Sequence, residues 1–177
     1  MSATGSTHGT AVQGRTWLEY AGTSLYTTWV AIAPEWAFAY VADMTRHREW
    51  AVHQITVTPA EPGPPHLGSR YTSSGRQGGR DWPSELEVTT YEPPTRFEFT
   101  ATGGPLGTPR DRPHRHQYRF SPERGGTRIE VQRTDPFEGT WKLLLTPIVK
   151  QIAGRIRRQT LENLRSKLED LATAPDS

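Results

Sequence analysis

His114, His116 and Tyr118 stand at alternate positions and are the residues of this chain best suited to moving protons. With Phe120 they share one side of any extended strand, because side chains two apart point the same way. A histidine in an apolar cavity can take or give a proton near neutral pH, and a phenol can hydrogen-bond a substrate oxygen. The same parity also fits a plainer reading, with His114 at a strand end in water and His116 a structural group. A His-x-His pair can hold zinc or iron, yet a metal site needs a further ligand. None lies nearby, and only the fold could bring up His47 or His53, so no metal is expected. Arg133 shares parity with Ile129 and Val131. Facing inward, its guanidinium can hold a carboxylate or enolate; facing out, its stem can cover apolar surface while the charge reaches water.

Other residues have the character of ligand walls. Trp82, Ser84, Leu86 and Val88 alternate along one segment and mix aromatic, hydroxyl and aliphatic groups, as do Phe97 and Phe99 with polar neighbours between them. Trp36 and Tyr40, four apart, can share a helical face at a cavity rim. Trp50 and Trp141 can line an entrance or plug a core. Tyr71 belongs to a segment with Arg70, Ser73 and Arg76 whose inward set stays open, because both parities are mixed.

The elements that must position these groups are legible in outline. Segments 25–32, 53–60, 69–76, 84–91, 96–102, 114–120 and 127–134 read as seven short strands rich in β-branched and aromatic residues, separated by Gly and Pro clusters. The last three alternate most clearly, with Arg96, Glu98, Arg119, Arg128 and Glu130 on the side expected to be wet. Glu123 to Gly126 supplies the positive-φ positions of a hairpin turn. Pro34 starts a helical stretch in which Ala37, Phe38 and Val41 recur at helical spacing, and Asp43 can cap a second short segment ending at Trp50.

From Thr146, with Pro147 behind it, the residues Ile148, Ile152, Ile156, Leu161, Leu164, Leu168 and Leu171 form the apolar stripe of a helix ending near Ala172. A helix of about 25 residues spans roughly 38 Å, enough to cross the concave face of a twisted sheet. Arg155, Arg157, Arg158, Arg165 and Lys167 are expected on its outer side. Ala153 and Gly154 permit either a close approach to the sheet or extra room beside it. Such a sheet wrapped around such a helix is an α+β fold, and Ile152 and Ile156 would face its interior together with Phe97, Phe99 and Val131.

The 177 residues suit one domain over 23–173, with a mobile tail over 1–22 and a short one over 174–177. The chain has no cysteine and a net charge of +2, with its arginines spread along the sequence, so disulfides, thiolate sites and nucleic-acid binding have little support. No apolar run approaches the ~18 residues that cross a bilayer, and the start lacks a secretory pattern, so a cytoplasmic protein is expected. There is no Gly-rich phosphate loop, no nucleophile elbow and no pair of carboxylates at helical spacing suited to catalysis, and no cofactor is expected. The sequence admits a homodimer as readily as a monomer.

The order of strand, two short helices, six strands and a long helix resembles the helix-grip superfamily of START lipid-transfer domains, the birch-pollen allergen and polyketide cyclase/dehydrases. The similarity extends to the opening stretch Val30 to Asp43, Glu49-Trp50, Gly68, Tyr91 to Pro94, Tyr118 to Phe120, Gly125 to Thr127 and Leu164 to Glu169. It implies a seven-stranded curved antiparallel sheet around the C-terminal helix, with a cavity between them for a small hydrophobic ligand. It also implies either acid/base cyclisation or dehydration of a polyketide-like substrate, for which the parities above offer His116, Tyr118, Arg133 and His114, or non-catalytic carriage or sensing of a hydrophobic metabolite. Aromatic polyketide cyclases similar to this chain carry an inward arginine on the fourth strand; the matching position here is Leu86, a departure that counts against aldol cyclisation.

Overall fold

A computed structural model describes residues 23–77, 79–104, 113–134 and 146–173. The expected tails and Trp141 lie outside the described residues, as does the side chain of Ile152. The elements run β1 (Thr23–Val30), α1 (Pro34–Ala42), a 3₁₀ helix (Met44–Glu49), β2 (Gln54–Pro59), β3 (Arg70–Gln77), β4 (Arg80–Glu92), β5 (Arg96–Gly103), β6 (His114–Glu123), β7 (Gly126–Thr134) and α2 (Thr146–Thr173). All seven strands join one antiparallel sheet in the order β1-β7-β6-β5-β4-β3-β2. Hairpins therefore connect β2 through β7 in sequence, and β7 closes on β1.

Local chemistry accounts for the corners. Pro34 opens α1, where its missing N–H costs nothing, and the Asp43 carboxylate ends the approach to the 3₁₀ helix by accepting from Thr45 N at 3.1 Å and Thr45 Oγ1 at 2.6 Å. Between β6 and β7, Arg124 and Gly125 both take positive φ, at 51° and 75°, the pair of left-handed residues that a two-residue hairpin requires. At Gly126 an added Cβ would lie 2.2 Å from the Val30 carbonyl oxygen, so only glycine lets β7 begin this close to β1.

Cross-strand partners share a face, and the register divides the sheet into an inner and an outer side. Val30, Val88, Phe97 and Ile129 are fully buried inside, against Phe38, Val41, Leu164 and Leu168 of the two α-helices. The C-terminal half of α2 is also tied to the helical corner, where Asn163 Nδ2 donates to the Trp50 carbonyl at 3.2 Å. A bulge in β4 between Val88 and Thr90 breaks the strict alternation, so Tyr91 rather than Thr90 pairs with Phe97 and turns inward.

Two expectations about the outer surfaces change. The outer side is not uniformly wet, because Glu98 is only 4% exposed and lies beneath Arg96, whose Nε donates to Glu98 Oε1 at 2.7 Å. Arg157 does not decorate the outer side of α2: its guanidinium donates to Ser24 Oγ on β1. The long stem lets the charge reach the sheet from the flank of the apolar stripe. Arg165 keeps the expected exposed position and pairs with Glu169 one turn on, at 2.7 Å.

Candidate functional site

Three rows of directly paired residues cross the inner face. The first runs Ser24, Arg133, His116, Phe99, Val88 from β1 to β4. The second runs Tyr26, Val131, Tyr118, Phe97, Tyr91. On the other side of the first lies His114, followed by Ala101, Leu86 and Tyr71. Beyond it Ser84 faces Ser73, and Trp82 faces Gly75. The β3 parity that the sequence leaves open is thus settled: Tyr71 and Ser73 turn inward, while Arg76 lies outside opposite Asp81, 4.0 Å away.

The rows place protic groups inside an aromatic lining. The His116 ring stacks on Phe99 with centroids 4.5 Å apart and planes within 9°. Tyr118 lies 6.2 Å from Phe97 and 6.3 Å from Phe99, centroid to centroid. Burial pushes the Tyr118 hydroxyl's pKa well above that of a free phenol, and nearby Arg133 opposes the shift only in part. Tyr118 is therefore a neutral donor at physiological pH. Two residues apart on one strand, His116 and Tyr118 have Cα atoms about 7 Å apart and point to the same side. His114 is buried rather than solvated at its strand end.

The inner face is sealed at one end and less covered at the other. Near α1 and the 3₁₀ helix Val88, Phe97, Phe99 and Phe120 are buried and Tyr91 is half-buried against Phe38, whereas Ser24, Tyr26, Trp82, Ser84, His116, Val131 and Arg133 are all half-buried. On α2 the same gradient runs from half-buried Ile156 and Leu161 to buried Leu164 and Leu168. The Arg80 guanidinium covers the Trp82 ring at 4.7 Å.

The remaining candidates disperse. Trp36 is 75% exposed on α1, away from these rows. Tyr40 is buried in the helical corner, its hydroxyl donating to Glu49 Oε2 at 2.9 Å, with a pKa raised first by burial and then by that bond. Trp50 is buried against His47 at 4.5 Å, and its indole N–H has no hydrogen-bond partner among the described residues. Two surface clefts contain none of the three protic groups: one of about 270 Å³ between Pro59 and Tyr71, and one of about 190 Å³ on the outer face around Gln117, Arg119 and Glu130.

His47 is a residue that its place in a short polar segment conceals. Its Nε2 lies 2.8 Å from the Val41 carbonyl oxygen, and its ring meets Trp50 on one side and Phe99 at 5.7 Å on another. Burial pushes its pKa down to about 4, against the opposing effect of the Val41 hydrogen bond. In the unfolded chain it titrates near 6.5, so on acidification the unfolded state takes up a proton before the folded state does. Its contribution to stability is whole above the unfolded pKa and is lost as pH falls toward 4. Urea titrations are expected to show a loss of about 2 kcal/mol on going from roughly pH 7.5 to 5 that His47→Gln removes. Equal pH dependence in both proteins would assign the loss elsewhere.

Comparison with known proteins agrees with this architecture. TTHA0849 of Thermus thermophilus matches with a TM-score of 0.66 at 15% identity, over 86% of this chain and 99% of that one. The corresponding figures for Ara h 8.0201 are 0.56, 14%, 81% and 97%. DynU16, from the dynemicin biosynthetic locus, matches at 0.54 and 16% over 84% of this chain, which spans 47% of that longer protein. At such identities the likeness establishes the fold alone, which is the helix-grip arrangement. A sequence search of curated proteins found no match. The family model described as polyketide cyclase / dehydrase and lipid transport matches residues 24–169, from the second residue of β1 almost to the end of α2. The chain belongs to the polyketide cyclase / dehydrase and lipid transport family.

Proposed function

We propose that the protein binds a small hydrophobic, polyketide- or lipid-like molecule between the inner face of its sheet and the N-terminal half of α2, and catalyses its cyclisation or dehydration there. The observation that carries the reading is the gradient of burial. Aromatic and aliphatic side chains make up much of the inner face, yet Tyr26, Trp82, His116 and Val131 remain half-buried beside buried Phe99 and Tyr118, where a packed core would cover them all. An apolar molecule seated there gains about 25 cal/mol for each Å² it removes from water.

The chemistry follows from the groups beside that space. Holding a flexible chain folded against Phe99 and Val131 converts an improbable encounter of its ends into a local one. The His116 imidazole then takes a proton from an activated carbon and returns it to a leaving hydroxyl. Tyr118, neutral at working pH, donates to the oxygen on which charge develops. Arg133, paired directly across from His116, is placed to favour an enolate or carboxylate.

One observation favours carriage instead. At the β4 position where similar aromatic cyclases have arginine, Leu86 turns inward between Tyr71 and Ala101 and is buried. A wall of that kind needs only shape and apolar area. Native mass spectrometry separates the two readings. The enzyme is expected to convert its co-purified ligand slowly into a product lighter by one water or isomeric by ring closure, whereas a ligand recovered unchanged after prolonged incubation would identify a carrier.

A further inference from the structure

We propose that Gly154 of α2 and Tyr26 of β1 form a subsite for a second ligand oxygen, a hydroxyl or carbonyl, at the opposite end of the molecule from the oxygen that Tyr118 meets. This rests on the ligand-binding reading above and specifies a further polar group that the ligand carries. Gly154 lies in the interior of a helix of 28 residues, where glycine is the poorest helix former after proline. Close packing would account for a glycine there if a side chain met the sheet, as at Gly126, where an added Cβ lies 2.2 Å from a carbonyl oxygen. At Gly154 it does not. Among the described residues a Cβ would touch only the tips of two side chains, Tyr26 Oη and Arg158 Nη1, each at an ordinary 3.8 Å. This holds although α2 makes its main approach to the sheet at β1. Position 154 therefore leaves room rather than bringing helix and strand into tight contact.

That room is bordered by donors and joined to the proposed chemistry. The Tyr26 hydroxyl reaches it from β1 and the Arg158 guanidinium from the next turn of α2. An oxygen lodged against the bare Cα of Gly154 is within reach of the Tyr26 hydroxyl, and a methyl group on that Cα would displace it. Tyr26 pairs directly with Val131, and Val131 with Tyr118. Adjacent strands lie about 4.8 Å apart, so the backbones of Tyr26 and Tyr118 are separated by about 10 Å. Tyr26, Val131, Gly154 and Ile156 are all half-buried, at the less covered end of the inner face. A ligand with one oxygen at Tyr118 thus crosses Val131 and presents its second to Tyr26, with its apolar body between them.

Isothermal titration calorimetry with decan-1-ol and decane-1,10-diol, alongside urea denaturation, tests this. Tyr26→Phe is expected to weaken binding of the diol about fivefold to tenfold relative to decan-1-ol, whose single hydroxyl can use Tyr118. Gly154→Ala is expected to weaken the diol similarly while raising the urea midpoint, because alanine is the better helix former. Greater stability joined to a loss of diol affinity marks a glycine kept for the space it leaves. A lower urea midpoint in Gly154→Ala would assign the glycine to packing and overturn the subsite. A ratio of diol to alcohol affinity unchanged in both variants would also overturn it and leave hydrophobic binding standing. Failure of wild-type protein to bind either molecule would overturn both.

Discussion

Replacing Phe97 by alanine is expected to destabilise the fold by about 3–5 kcal/mol, the range for removing a buried phenyl ring, and to lower Tm by roughly 10 °C. Phe97 is fully buried and lies at the centre of an aromatic group: Phe99 at 6.0 Å, Tyr118 at 6.2 Å, and Phe38 and Tyr91 each at 6.4 Å. These rings belong to three strands and α1, so none can move into the vacancy without carrying its element with it. The cavity therefore persists and its cost adds to the lost transfer energy. Phe97→Leu restores most of the volume and is expected to recover much of the loss. An unfolding free energy for Phe97→Ala, from chemical denaturation, within about 1 kcal/mol of wild type would mean that the sealed end of the inner face is not the structural core.

Replacing His116 by glutamine is expected to lower turnover of the recovered substrate by about a hundredfold or more, with ligand affinity changed only a few-fold. Glutamine retains hydrogen-bonding capacity and comparable size, so it still covers Phe99, but it cannot exchange a proton near neutral pH. Unchanged turnover would remove His116 from the chemistry and shift the balance toward carriage. Loss of affinity without a change in rate would make it a wall residue.

Alternation made most of the inner face legible before any coordinates. The two-residue period of 114–120 and 127–134 put His116, Tyr118, Val131 and Arg133 on one side, and the register confirms that they share it. What parity could not supply came from interactions between distant segments. The β4 bulge resets the period after Val88 and delivers Tyr91, a change that a count of residues cannot anticipate. His47 gains its role only because the helical corner folds onto β5, and Arg157 only because α2 crosses β1 closely enough for a long side chain to reach Ser24. Helical spacing grouped Trp36 with Tyr40, yet α1 buries one and exposes the other. Four positions differ by about 40° around a helix of 3.6 residues per turn, and at the edge of a buried stripe that is enough to separate them.

The central claim is that an apolar ligand occupies the space between the inner face and α2, and methyl NMR tests it most directly. In protein labelled at Ile, Leu and Val methyls and titrated with decan-1-ol, the account predicts shifts at Val131 and Leu86 of the inner face and at half-buried Ile156 and Leu161 of α2. It predicts none at Leu25 beside the outer-face cleft or at exposed Leu67 between β2 and β3. Shifts confined to Leu25 or Leu67, with Val131 and Ile156 unmoved, would contradict it.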